Sequence, residues 1–208
     1  MKRLLELVEN LKKDEVKNLV DTRLKEFKEL ANGSNNKIFE ELCFCILTAN
    51  SNAERCMKVQ MEIGDKFLTL PESHLARELK ERGYRFPNTR ARYIADARKY
   101  KNSLKDTITK LNEENELREW LVKNIKGIGF KEASHFLRNI GYTDFAIIDF
   151  HIINVLTKHK TIEKPRGLTK RKYLEIEDLL RKIAIESNLN LAELDLYLWY
   201  TETGKILK

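Results

Sequence analysis

At 208 residues with 42% apolar content, the chain can bury a core in one large unit or two small lobes, which excludes a disordered polypeptide. Charged residues make up 34% and the net charge is +7, so a polyanionic partner fits, although charge alone selects no ligand. No run approaches the roughly 20 apolar residues of a membrane-crossing helix, and Cys43, Cys45 and Cys56 make neither a disulfide framework nor a four-ligand cluster, which points to a reducing cytosol.

Helical spacing dominates from the start. Leu4, Leu5, Val8 and Leu11 share one face over residues 2–12, where Glu6 and Glu9 interrupt a signal-peptide pattern. Val16, Val20, Leu24 and Phe27 predict a second helix over 14–30. The cluster Asn32-Gly33-Ser34-Asn35-Asn36 reads as a turn and a lobe boundary. The apolar run 38–47 predicts a buried central helix. Helices are expected next over 53–64, 72–82 and the arginine-rich 89–100, with 83–88 as a loop. Residues 108–111 and 115–125 follow, and Gly127 and Gly129 break the chain before 131–140. Ala146-Ile147-Ile148 is a short strand-like stretch leading into Asp149 and a helix over 151–156. Helices over 170–187 and 191–201 complete an all-α reading without repeats.

The segment Lys126-Gly127-Ile128-Gly129-Phe130-Lys131 joins two of these helices. Two glycines around one apolar residue permit a tight turn with positive φ and close approach by another backbone. Ile125 and Ile128 anchor the turn, and the next helix offers N–H groups and a positive dipole end to a phosphate. The same pattern also serves as a plain helix C-cap, so the segment alone leaves both readings open.

The segment resembles the helix-hairpin-helix DNA glycosylase superfamily, and the resemblance continues through Phe145-Ala146-Ile147-Ile148-Asp149. More narrowly, residues 126–139, 41–50, 194–200 and 203–208 are together similar to the archaeal-type 8-oxoguanine DNA glycosylase/lyase family, in order and over essentially the full chain. This implies two helical lobes, 1–33 plus 112–208 and 34–111, with the active site in the cleft between them. It also implies excision of 8-oxoguanine from duplex DNA by a lysine at Lys131 and an aspartate at Asp149. The lysine amine would attack C1′ to give a Schiff base, and β-elimination would then nick the strand. Asp149 would stabilise the cationic sugar or orient the nucleophile; it also reads as the N-cap of the next helix, and both roles can hold together. Phe150 departs from the family pattern, which has a basic residue there; one phosphate-facing charge is lost.

Recognition residues follow from the same resemblance, each beside a plainer reading. Trp199 stacks on the flipped base or belongs to the core. Phe86, on a loop where packing poorly explains an apolar side chain, wedges into the duplex or contacts the base opposite the lesion. Asn50 fills the hole left by the extruded base, or caps a helix. Lys208 reaches the recognition pocket, its terminal carboxylate an acceptor for the N7–H of 8-oxoguanine, with Ile206 and Leu207 holding down a segment that ordinarily frays. His135 and His151 lie beside the site or serve structure. Lys126, Gly127 and Gly129 meet the DNA backbone. Arg85, Arg90, Arg92, Arg98 and Lys99 track phosphates or are simply solvated.

No metal-ligand set is present in the sequence, and the resemblance implies no cofactor beyond an alkali cation on the hairpin carbonyls. The expected protein is a cytoplasmic, nucleoid-associated monomer with damaged duplex DNA as partner and no membrane role. The alternatives are a glycosylase for oxidised pyrimidines or alkylated bases, a non-catalytic DNA-binding hairpin module, and a helical interaction protein without a nucleic-acid role.

Overall fold

The computed structural model describes residues 1–111 and 114–208. The described residues form α1 (Lys2–Leu11), α2 (Val16–Ala31), α3 (Asn35–Thr48), α4 (Ala53–Ile63), α5 (Glu72–Glu81) and α6 (Pro87–Ala97). They continue with α7 (Leu104–Lys110), α8 (Glu114–Asn124), α9 (Phe130–Asn139), α10 (Phe150–Lys158), α11 (Lys170–Glu186) and α12 (Leu191–Thr203). No strand occurs among them, so the fold is all-α. None of these helices is long and apolar enough to cross a membrane.

The chain packs as two compact units, Met1–Glu29 with Leu137–Lys208, and Leu30–Phe136. The lobes expected from the sequence change over at 33/34 and 111/112, and the second of these boundaries lies outside the described residues. The glycine turn and Lys131 fall in the central unit, and Asp149 in the terminal one.

In the terminal unit, the apolar stripe of α2 packs against α12. Val16, Val20 and Phe27 of α2 cluster with Leu196 and Tyr197 of α12, with Leu24 and Tyr200 at the margin. A capping box opens α12: the Asn190 side chain accepts from Glu193 N at 2.9 Å, and Asn190 N donates to Glu193 Oε2 at 2.7 Å. Gly204 closes it in the left-handed region, φ 69°, donating to Tyr200 O at 2.8 Å. The tail then turns so that Ile206 packs on the α2–α12 cluster. Arg138 and Asp195 form a buried ion pair, and the guanidinium lies 4.9 Å from the Phe27 ring centroid.

In the central unit, α3 starts three residues before its apolar run because Ser34 accepts the Lys37 N–H at 3.4 Å. Residues 38–48 are buried on every side, as an apolar run of that length requires. The arginine-rich helix begins at Pro87 rather than Thr89, since proline has no N–H to leave unpaired at the first helical position. Its expected last turn is a separate 3₁₀ turn, Arg98–Tyr100, and a second such turn, Gly64–Leu68, follows α4.

Candidate active site

The turn between α8 and α9 is built as the glycine spacing suggests, but the two glycines do different things. Gly127 sits at φ 83°, where a side chain is strained, and a Cβ there would collide with the Tyr93 ring. Gly129 has no left-handed φ; its N–H donates to Glu132 Oε2 at 3.2 Å. Ile125 and Ile128 are buried, as anchoring demands. Arg118, also buried, ties the two helices together: Nη1 is 3.3 Å from Ser134 Oγ and the guanidinium 4.9 Å from the Phe130 ring centroid.

Lys131 stands on the first turn of α9, its side chain 24% exposed and Nζ 3.4 Å from Glu132 Oε1. Glu132 thus braces the turn with one oxygen and faces the lysine with the other. The spacing of Gly129 and Glu132 is that of half a capping box, so this residue was discoverable from sequence. Lys126 projects from the turn with Nζ 2.7 Å from Asp96 Oδ2. Its hydrogen bond, with help from Lys99 and Arg92, holds the Asp96 carboxyl below the usual carboxylate range.

In the terminal unit, Asp149 is the N-cap of α10. Oδ1 accepts from His151 N at 2.9 Å and Ile152 N at 3.0 Å, while Oδ2 accepts no hydrogen bond from the described residues. The stretch leading to it belongs to no helix or strand, so side chains of α11 satisfy its backbone. Ala146 N donates to Glu177 Oε2 at 3.0 Å, Tyr173 OH donates to Ala146 O at 2.6 Å, and Ile148 N donates to Tyr173 OH at 3.2 Å. Phe150, 67% exposed, lies with its ring centroid 3.8 Å from that of His151. His151 in turn meets Trp199 edge-on at 4.6 Å. Trp199 Nε1 and His151 Nδ1 are buried without a partner among the described residues.

The remaining sequence candidates separate by environment. Asn50 follows the α3 C-cap at φ 56°, so the capping reading applies to its backbone while its side chain is exposed. Phe86 is half-buried, its ring 4.9 Å from the Arg85 guanidinium. His135 is buried with its ring edge-on to Phe44 at 5.6 Å, the environment of a core histidine. Lys208 is half-buried at the end of the tail that Ile206 anchors. The basic stripe is only partly a surface feature. Arg85, Arg92 and Lys99 are exposed, but Arg90 is buried and Arg98 donates to Phe67 O at 2.8 Å, because both sit on the inward face of their helix and turn. No group of three His, Cys, Asp or Glu side chains converges as a metal site among the described residues.

Residues 20–189 match a family model described as 8-oxoguanine DNA glycosylase. The 8-oxoguanine DNA glycosylase/AP lyase of Methanocaldococcus jannaschii is 54% identical over 206 residues, covering 99% of this chain and 99% of the relative. The structure of the M. jannaschii 8-oxoguanine glycosylase/lyase with a 15mer DNA containing 8-oxoguanine superimposes with a TM-score of 0.96 at 54% identity, over 99% of this chain and 100% of that one. The 8-oxoguanine DNA glycosylase of Thermotoga maritima gives a TM-score of 0.93 at 44% identity, over 100% of this chain and 99% of that one.

Proposed function

This chain belongs to the 8-oxoguanine DNA glycosylase family, and we propose that it excises 8-oxoguanine from duplex DNA and then nicks the strand at the resulting abasic site. The observation that supports this reading is the pairing of chemistries within one family framework. A lysine amine stands on the first turn after a glycine hairpin, and a carboxylate keeps one oxygen for its helix and one without a hydrogen bond.

The base must first leave the stack. The deprotonated Lys131 amine attacks C1′, forming a C–N bond as the bond from C1′ to the base breaks; the electron pair leaves with the base, which takes up a proton. Asp149, through Oδ2, stabilises positive charge on the sugar as the base departs. Opening of the sugar ring gives the Schiff base. Loss of a C2′ proton then expels the 3′ phosphate, nicking the strand, and water releases Lys131.

Trp199 offers its ring to the extruded base and its unpaired Nε1–H to an acceptor on it. The tail to Lys208 completes that pocket, Phe86 enters the duplex, and Asn50 occupies the vacated position. Lys126, Gly127 and Gly129 hold the phosphate backbone at the head of α9. His135 supports the α3–α9 packing rather than the chemistry, as its contact with Phe44 suggests. The reading includes no cofactor beyond an alkali cation held by the hairpin carbonyls. The protein acts as a cytoplasmic monomer at the nucleoid.

Duplexes carrying 8-oxoguanine, an oxidised pyrimidine or an alkylated purine separate this reading from its neighbours. Release of 8-oxoguanine with strand nicking before any alkali treatment is expected. Preferential release of another lesion would move the substrate assignment, and nicking only after alkali would remove the lyase step.

A further inference from the structure

We propose that Arg90 is a positioning residue: one guanidinium locks the Asn50 turn to the hairpin and to the Phe86 loop, so that the three meet DNA in a fixed register. This rests on the reading of Asn50 as the residue that fills the vacated position. Arg90 lies on α6, 8% exposed. Long cationic side chains are seldom so buried without a carboxylate partner. No carboxylate pairs with Arg90 among the described residues.

Its contacts go instead to the three elements. Nη2 donates to Ala49 O at 2.8 Å, across 41 positions of sequence. Ala49 caps α3, whose last carbonyls have no helical partner, and it immediately precedes Asn50 in the left-handed conformation. Nη1 of the same group lies 3.1 Å from where a Cβ on Gly127 would stand, so Arg90 packs directly on the hairpin backbone. The guanidinium carbon is 5.9 Å from the Phe86 ring centroid and 5.6 Å from that of Tyr93, within the range of cation–π attraction.

Two residues before Ala49 the same segment is held again. Leu47 O accepts Tyr84 OH at 2.6 Å and Cys56 Sγ at 3.4 Å. Asn50 therefore follows a backbone fixed at two carbonyls, with its own side chain exposed. A planar fork that reaches a carbonyl, a glycine backbone and two ring faces at once is a geometry lysine cannot reproduce. Fixing these elements before DNA arrives reduces the ordering that binding would otherwise require.

The test is a double-mutant cycle on equilibrium binding of a duplex carrying a stable abasic analogue, measured against the intact duplex. This readout involves no excision, so it stands or falls apart from the glycosylase reading, which the excision assay addresses. Asn50→Ala and Arg90→Lys each reduce the preference for the abasic duplex. The double variant loses little beyond the larger single loss, a coupling of roughly tenfold. The pair Asn50→Ala with Arg92→Lys, at an exposed position of the same helix, is expected to be additive. If Arg90→Lys does not fold, Arg90→Gln keeps a donor for Ala49 O without the charge and carries the same cycle. Additive losses at Arg90 and Asn50, or an Asn50→Ala variant that keeps the full preference, would overturn the proposal.

Discussion

Because Oδ1 of Asp149 accepts both N–H groups at the head of α10, substitution can separate capping from chemistry. Asn caps as well as Asp, so Asp149→Asn is expected to keep the thermal midpoint. Its single-turnover release of 8-oxoguanine should fall by roughly 10²–10³-fold, the usual loss when one charge-stabilising group is removed. Asp149→Ala should show the same catalytic loss and lose about 1 kcal/mol of stability in a denaturant titration. An Asn variant with native rates would leave Asp149 only its cap. Phe150 calls for a different measurement. It puts an exposed ring where the resemblance leads one to expect a basic residue, so Phe150→Arg should add one phosphate contact. The slope of log affinity against log salt should then steepen by about 0.9. An unchanged slope would mean that this position does not face the backbone.

At the scale of elements, the hairpin was the most legible part of the sequence, and it also shows what sequence leaves out. The glycine spacing gave the turn, yet nothing in it announced that Tyr93 fills the space where a Gly127 side chain would stand. Gly127→Ala meets both that collision and an unfavourable φ, so it should destabilise by more than about 1 kcal/mol in a denaturant titration. Gly129→Ala, with no such φ, should be milder. The pairing of Lys126 with Asp96 was equally hidden, since the partners are thirty positions apart. If phosphate replaces that carboxylate, Asp96→Asn should tighten duplex binding, and an unchanged affinity would mean that Lys126 does not reach the backbone. The Asp96 carboxyl is held below its ordinary value by Lys126. The pair therefore supports the fold above the ordinary carboxyl range, and this support is lost as pH falls through the lowered value. Both groups are largely exposed, so the effect on stability is small. Arg90 is the clearest case of a residue misplaced by composition alone. Among arginines on one helix it reads as surface charge, and only tertiary packing turns it inward.

For the whole molecule, the all-α class and nearly every helix were readable from apolar spacing and caps, because those signals are local. The 3₁₀ turns and the side-chain pairing of the stretch before Asp149 were not, because both depend on partners distant in sequence. The packing of both units also predicts a titration. Burial pushes Tyr84 and Tyr197 up to about 12, assisted by Cys56 near the first and by Asp21 and Glu193 near the second. Each stabilises the fold fully below the ordinary tyrosine range, and the contribution is lost as pH rises through the raised value. Tyrosinate absorbance should show Tyr84 and Tyr197 titrating late in the folded protein, and a Tyr84→Phe or Tyr197→Phe variant should lose part of that late step. The lysine route is tested most directly by borohydride reduction during reaction with an 8-oxoguanine duplex. The native protein should be captured covalently on the DNA strand and Lys131→Gln should not; absence of an adduct with the native protein, or equal capture by the variant, would contradict the assignment.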